Sequence, residues 1–526
     1  MVEASSTIPV ALDEMYDSDG VPRPGLEPLH EVLVSLAAGG PDGLRERARL
    51  RDAHLSAQGI TFSLSGRERP LPVDLVPRVI TALEWPLIEA GVAQRIRALE
   101  AFLADVYGAG HILDDRVVPR SLVTSSSHFH REAHGIVPPN GVRIHVAGVD
   151  LVRDENGVLR VLEDNLRCPS GVSYVLENRR TLAHVVPEVF TGYRVRPVAE
   201  YPERLLAGLR AAAPGSVADP TVAVLTPGVH NSAHFEHTFL ARRMGVELVE
   251  GRDLFCQNGT LFMRTTMGPR PVHVLYRRID DDYLDPVHFR SDSVLGVPGL
   301  LGVARAGRVT VANAVGNGVA DDKSVYPYVP VMIEYYLGEQ ALLPNVATYD
   351  LQDLDQRTYV LDRLDRMVLK PVDGSGGYGI VVGPQASDQE LEKAAANIRS
   401  DPRQWVAQPV VGLSTSPTYV DDGFESRHVD LRPFAVNDGN QVWVMPGGLT
   451  RVALVRGSLV VNSSQGGGSK DTWVIDDDTV EPVIAQPAAH KIPIASAVPP
   501  RAAPPVSAFD RIRQQEEQQQ QGSTPC

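Results

Sequence analysis

Cysteine is almost absent from this chain: three residues in 526, at Cys168, Cys256 and Cys526. No two share the short spacing of a zinc module or redox pair, and three cannot build a disulfide framework. No apolar run is long enough to span a bilayer. The N-terminus, MVEASSTIPVALDEMYDSDG, lacks the basic start and apolar core of a secretory signal. There is no basic stripe either. The formal net charge is −15 and the sequence pI about 5.5, which argues against nucleic acid as a main partner. A cytoplasmic protein with no membrane partner is therefore expected. Hydrophobic residues make up 43% of the 526, enough for two or three domains with cores of their own.

The most informative stretch is 367–383, MVLKPVDGSGGYGIVVG. Val368 and Lys370 share one face of a short strand, because side chains alternate along a strand. The loop Asp373-Gly374-Ser375-Gly376-Gly377 follows, then an apolar return strand from Ile380 to Val382. Glycines let a loop backbone approach a polyphosphate and turn N–H groups toward it. A Rossmann turn would need a helix after the glycines, and a P-loop would need G-x-x-x-x-G-K-[ST]; neither pattern fits. The remaining readings are a strand–loop–strand cover over a nucleotide, with Lys370 on its phosphates, and an ordinary glycine turn beside a lysine.

The second stretch begins at Arg143, RIHVAGVDLVRDENGVLRVLEDNLRCPSGVSY, and predicts a hairpin. Asn156-Gly157 is a strong two-residue turn signal. With that turn Glu155 faces Val158, Asp150 faces Glu163, and Asn165 shares the face of Glu163. Like charges facing across a ladder are destabilising. A divalent cation would reverse that sign, and carboxylate and amide oxygens suit Mg²⁺. The alternative is an exposed hairpin whose acids never meet.

Other segments fill in the architecture. The first 120 or so residues read as mostly helical, with apolar faces at Leu29, Val32, Leu33 and Leu36 and at Ile96, Leu99, Leu103 and Val106. His128, His130 and His134 have poor zinc spacing and are expected to be structural or substrate-side. Residues 221–280 alternate strands and helices, as in a parallel sheet. Asn231, His234, Glu236 and His237 follow one strand end, where such sheets bind ligands. Arg277, Arg278, Asp280 and Asp281 follow another, either as a clamp for an anionic substrate or as a structural ion-pair cluster. WVAQPVV, from Trp405, reads as a strand ending in a hinge. Asp430, Arg432 and Phe434 alternate on a strand, Arg451 follows on the next, and Lys470 sits in a Gly/Ser-rich loop. The tail, rich in Pro and Ala and then Gln, is expected to be disordered.

Together these strings resemble the ATP-grasp superfamily. Ordinary ATP-grasp enzymes place their lysines and glycine loop before the metal strand; here LEDN comes first. That order resembles the circularly permuted type 2 ATP-grasp family, relatives of glutathionylspermidine synthase. GITF, VLEDNLRCPSGVSYVLENR, LTPGVHNSAHFEH, YRRIDD, GNGVADDKSVYP and GGLTRVAL resemble an uncharacterised branch of it, over residues 15–475. The resemblance implies an α/β fold with a helical N-terminal region (1–120) and a metal-strand part (121–200). A pre-ATP-grasp-like α/β domain (201–318), a nucleotide-binding part with a lid (319–480) and a tail (485–526) would follow.

The resemblance also implies roles. Asp150, Glu163 and Asn165 would hold Mg²⁺. Lys323, Lys370, Gly374, Ser375, Gly376 and Gly377 would cradle ATP phosphates, Gln408 and Val410 would hold adenine, and Asp430, Arg432 and Arg451 would face the phosphates. Pro169, Ser170 and Gly171 would line an acceptor pocket, with Asn231, His234, Arg277 and Arg278 as further substrate residues. The arginine that relatives carry just before the first carboxylate is missing, since that position reads Ala147-Gly148-Val149. Arg451, Arg167 and Arg179 are candidates for its role. The implied activity is ATP- and Mg²⁺-dependent joining of a small-molecule or peptide carboxylate to an amine, with a helical companion protein as a possible partner. The alternatives are a phosphotransferase and a non-catalytic nucleotide-binding protein.

Overall fold

The computed structural model describes residues 11–476, apart from 65–66, 71, 216, 374–378, 421–422 and 462–465. The glycine loop 374–377 and the low-complexity tail therefore lie outside the described residues. No helix among those described is long and apolar enough to cross a membrane.

The N-terminal part is helical, as its periodicity predicts. The 22-residue helix Trp85–Val106 buries Trp85, Ile88, Val92, Ile96, Leu99, Phe102, Leu103 and Val106, one side of a 3.6-residue repeat. Each such side chain contributes about 1.5–3 kcal/mol by leaving water. This helix backs the central sheet and packs on the helix Val329–Leu337. Two helices meet at one glycine ahead of it in the chain. Gly39 ends Glu27–Ala38 and starts Gly40–Ala57, with a proline in the first turn, where its missing N–H costs nothing.

The central sheet is antiparallel, in the order Val442–Val444, Phe434–Asn437, Val146–Arg153, Leu159–Asn165. All eight residues of Val146–Arg153 are buried. Chain from both sides of the permutation thus meets in one sheet. Asp150 does face Glu163, with Gly148 opposite Asn165, but not by way of the predicted turn. Asp154 pairs with Val158 around a three-residue loop, and Asp154 Oδ1 accepts the N–H groups of Asn156 and Val158, both at 2.9 Å. That shifts the register by one residue, and an irregularity between Asp150 and Leu151 shifts it back. A bulge of this kind realigns a strand without altering the rest of the ladder.

The predicted parallel sheet is present, in the order Thr310–Ala312, Val274–Arg277, Val222–Leu225, Glu247–Val249. Its strands are short apolar runs, as expected where both faces are covered. Asn313 ties it to the central sheet. Its Oδ1 accepts the N–H groups of His145 (2.7 Å) and Val146 (2.9 Å), and its Nδ2 donates to the carbonyls of Val146 (2.7 Å) and Leu166 (2.8 Å). A third sheet orders Tyr349–Asp350, Trp405–Pro409, Met367–Pro371 and Val381–Val382. In it Val368 faces Val382 across the glycine loop, the strand–loop–strand arrangement predicted. Behind it packs the helix Asp388–Ser400, whose start is closed by a reciprocal Ser387–Glu390 cap.

Candidate active site

Between the central hairpin and the third sheet lies a narrow cleft, lined by Leu162, Glu163, Lys323, Thr348, Lys370 and Gln408 among others. Four sequence-predicted residues therefore meet there from four separate segments. Glu163 comes from the hairpin, and its Oε1 lies 3.2 Å from Lys323 Nζ. Two neighbours of Lys323 are turned inward to hold it out. Asp321 accepts the Leu166 N–H (2.7 Å) and pairs with Arg167 (2.9 Å). Asp322 pairs with Arg403 (2.8 Å), which also donates to Ser324 Oγ (2.9 Å) and Ser125 Oγ (3.0 Å). Lys370 is buried on the strand Met367–Pro371. Burial pushes its ammonium down to about 8, against the pull of Glu163. Gln408 donates to Thr348 Oγ1 at 2.8 Å. Val410 gives its N–H to Arg366 O at 3.2 Å, so that hinge donor is already used.

Beside the cleft sits a buried charge cluster. Asp150 accepts two N–H groups from Arg432, at 2.5 and 2.8 Å, and one from Arg451, at 2.6 Å. Burial alone would raise its pKa, but Arg432 and Arg451 outweigh it and hold the carboxyl at about 2. Arg451 also grips Asp430. Burial lifts the Asp430 carboxyl against the pull of Arg451. Asp430 is fully buried, so the expectation that it faces a nucleotide is corrected: it orients Arg451. The missing arginine is also explained. A Cβ on Gly148 would sit 3.1 Å from Arg432 Cδ and 3.3 Å from its Cγ, so the Arg432 stem crosses the space that a side chain at 148 would fill. Arginine reaches Asp150 from the strand opposite. Of the three candidates for that role, only Arg451 touches Asp150; Arg167 pairs with Asp280 and Asp321, and Arg179 with Asp471.

The argument that facing acids demand a cation needs correcting as well. Asp150 is compensated by two guanidiniums and Glu163 by Lys323, so the hairpin holds without one. The donors still suit Mg²⁺: Glu163 is partly open to the cleft, and the Asn165 amide is 3.5 Å from Asp150. Among the described residues no group of three or more His, Cys, Asp or Glu is arranged to hold a metal, and the sequence-predicted set contains two acids and an amide.

The substrate residues separate into two kinds. Arg277 is wholly buried and donates to the carbonyls of Ile279, Asn313 and Ala314 while pairing with Asp281. It is structural, not a clamp. Arg278 is buried too, on Pro169 O (2.8 Å), Ser170 Oγ and Glu236. Glu236 accepts the N–H groups of Gly171 (2.8 Å) and Ser173 (3.0 Å). Arg278 and Glu236 therefore shape the 169–171 loop from behind and do not face solvent. Asn231 is buried, and its Oδ1 caps the Ala233 N–H at 2.9 Å; His234 is half-buried beside it. His128 lies 3.8 Å from Asp373, at the base of the glycine loop, and its ring is kept neutral by burial and by Arg167. Lys470 is fully buried on Asp74. Sequence reading missed Asp321, Asp322, Arg403 and Thr348; it set Glu236 at a ligand-binding strand end, where Glu236 instead braces the 169–171 loop. The DDK string was the one available signal, because paired acids beside a lysine can turn inward and present it.

This fold, with a cleft between two sheets that brings Glu163, Lys323 and Lys370 together, is that of an ATP-grasp protein with the nucleotide segment after the carboxylate hairpin. Residues 77–453 match the family model for circularly permuted ATP-grasp type 2, and the chain belongs to that family. It is 61% identical over 471 residues to an uncharacterized protein of Mycobacterium tuberculosis, covering 90% of this chain and 85% of that one. It is 46% identical over 470 residues to a Frankia casuarinae protein named "Putative glutamate--cysteine ligase 2-2". That match covers 89% of this chain but 54% of the Frankia protein, so the name describes a much longer chain. A glutathione synthetase-like effector from Globodera pallida, solved in its apo form, matches in fold with a TM-score of 0.56 and 12% identity, over 83% of this chain and 98% of the effector.

Proposed function

We propose that this protein is an ATP-dependent ligase that joins a carboxylate to an amine through an acyl phosphate. The observation that carries this reading is the convergence of Glu163, Lys323, Lys370 and Gln408 on one cleft, with the Asp150–Arg432–Arg451 cluster beside it. Family membership supports it. So does the name of the Frankia relative, within the limit of a half-length match.

Charge dictates how the cleft would fill. Lys323 and Lys370 carry positive charge into the cleft and Arg432 and Arg451 lie beside it, while Asp150, Asp430, Asp164 and Asp321 are each tied to an arginine. Such a site attracts a polyphosphate. Lys323 would move from Glu163 to phosphate oxygens, freeing the Glu163 carboxylate. Lys370, lowered to about 8 by burial, would be held charged beside them. Glu163 and Asn165, with Asp150 behind, would hold Mg²⁺, which would supply positive charge to the nucleotide phosphates. A substrate carboxylate oxygen would attack the γ-phosphorus, and the β–γ bridge would break to release ADP. Arg432 and Arg451, held rigid by Asp150 and Asp430, would offset charge on the transferring group without reorganising. The amine, as free base, would then attack the acyl carbon and expel phosphate. The 169–171 loop, braced by Arg278 and Glu236, is the wall on which the acceptor would sit.

The test is product analysis of the purified protein with ATP, Mg²⁺ and pooled amino acids, short peptides and polyamines. The expected result is ADP, phosphate and a new species weighing acid plus amine minus water. ADP with a phosphorylated metabolite would make the protein a phosphotransferase and overturn the reading.

A further inference from the structure

Glu14 lies in an N-terminal segment without regular structure, outside the residues 77–453 that match the family, yet its carboxylate is buried. Arg78 donates to both of its oxygens at 2.7 Å, Arg153 to one at 3.0 Å and Ser414 Oγ at 2.6 Å. The segment is strapped down around it. Glu14 N donates to Thr415 O (2.9 Å), Thr415 N to Leu12 O (2.8 Å), and Ser426 Oγ to Asp13 (2.7 Å). Two routes lead from Glu14 to Asp150. Arg153 ends the same strand, Val146–Arg153, and its carbonyl accepts the Ser414 N–H at 2.9 Å. Arg78 uses a further N–H to hold the main-chain carbonyl of Asp430 at 2.8 Å, and the Asp430 side chain grips Arg451, which reaches Asp150.

The placement of Arg78 is the key point. It is a buried guanidinium that touches the backbone of Asp430 and is paired with the carboxylate of Glu14. A buried cation stripped of its acid seeks the next one, because leaving it unpaired is costly. Arg78 already holds the main-chain carbonyl of Asp430, so a guanidinium that shifts toward another acid moves the Asp430 main chain with it. We propose that Glu14 is a positioning residue for the active site: it satisfies Arg78, so that Asp430 stays with Arg451 and Arg451 stays aimed at Asp150. The inference rests on the proposed function for its kinetic consequence, but not for its structural one.

The experiment uses full-length Glu14→Gln, Glu14→Asp and the double variant Glu14→Gln/Arg78→Met, well below their unfolding temperatures. It reads kcat and the KM for ATP, and hydrogen exchange of peptides spanning 428–432 and 449–453. Glu14→Gln should lose about tenfold in kcat with little change in KM, a typical size for coupling through a packed network. Exchange should quicken in both peptides. Glu14→Asp should recover part of the loss, and the double variant should recover most of it, because no unpaired guanidinium is left to draw the Asp430 main chain away. An unchanged kcat, a loss without faster exchange, or a double variant as slow as the single one overturns the proposal. If the wild-type protein forms no ADP with any acid and amine, the ligase reading fails. Exchange alone then decides: faster in both peptides for Glu14→Gln supports the role, and unchanged exchange overturns it.

Discussion

Two buried arginine pairs stand in or beside strands of this protein, and they do opposite things. Arg277 and Arg278 spend their donors on main-chain carbonyls, Asp281 and Glu236. Arg432 and Arg451 converge on one carboxylate, Asp150, beside the cleft. In the sequence both pairs are candidates to face ligand, with a structural ion-pair cluster as the alternative for Arg277 and Arg278. The difference is the company each keeps: carbonyl acceptors make a guanidinium part of the scaffold, whereas an acid shared by two guanidiniums, opposite Glu163 of the cleft, makes a preorganised charge.

Substitutions should separate the two pairs. The largest effect is expected from Asp150→Asn. It should lower turnover by about a thousandfold, as when preorganised charge is lost at a reacting centre. It should also lower stability, by about 3 kcal/mol in urea unfolding, since it strips an acid from two buried guanidiniums. Arg277→Met should cost about 3–5 kcal/mol of stability by leaving Asp281 buried and unpaired. The molecules that remain folded should bind nucleotide normally. If Arg277→Met weakens nucleotide binding without loss of stability, the division between the pairs is wrong.

Lys370→Met comes next, with an expected loss of about 2 kcal/mol in nucleotide binding, the size of a charge-assisted hydrogen bond, measured by calorimetry. The wild-type protein should show the same dependence through pH. Burial holds Lys370 at about 8 without nucleotide, and phosphate requires it charged. Affinity should therefore fall as pH rises through 8, and binding near that pH should take up a proton, read from the buffer dependence of the heat. Acid works on the other side. Glu14 and Asp150 are both held at about 2: burial raises them, and Arg78 with Arg153, or Arg432 with Arg451, outweighs it. Folded pKa values below the unfolded ones mean that their stabilisation is complete above about pH 4. It should be lost as pH falls from there toward 2. The smallest effect is expected of Thr348→Val, which removes one hydrogen bond to Gln408 and should cost about 1 kcal/mol or less in nucleotide binding.

Much of the fold was legible because hydrophobic period and short-range turn chemistry carry it. The helix Trp85–Val106, the parallel sheet and the strand–loop–strand around Lys370 all follow from local pattern. The facing of Asp150 and Glu163 was reached by an argument that succeeded through two offsetting errors, since the loop is one residue longer than Asn156-Gly157 predicts and the bulge restores the register. The ion-pair partners were not legible. Asp321 and Arg167, Asp322 and Arg403, or Glu14 and Arg78 are separated by tens to hundreds of residues, and nothing in local sequence says which acid a given arginine will meet. Gly148 shows the same limit: only the structure reveals that Arg432 occupies the space above it.

The most direct test of the central claim follows oxygen. The acids of the substrate pool are labelled with ¹⁸O in their carboxylates and incubated with the protein, ATP, Mg²⁺ and amines, and the released phosphate is weighed. A ligase working through an acyl phosphate must pass one labelled oxygen from the carboxylate to the phosphate, so phosphate heavier by one ¹⁸O is predicted. ADP formed while every label stays in the acid would contradict the account.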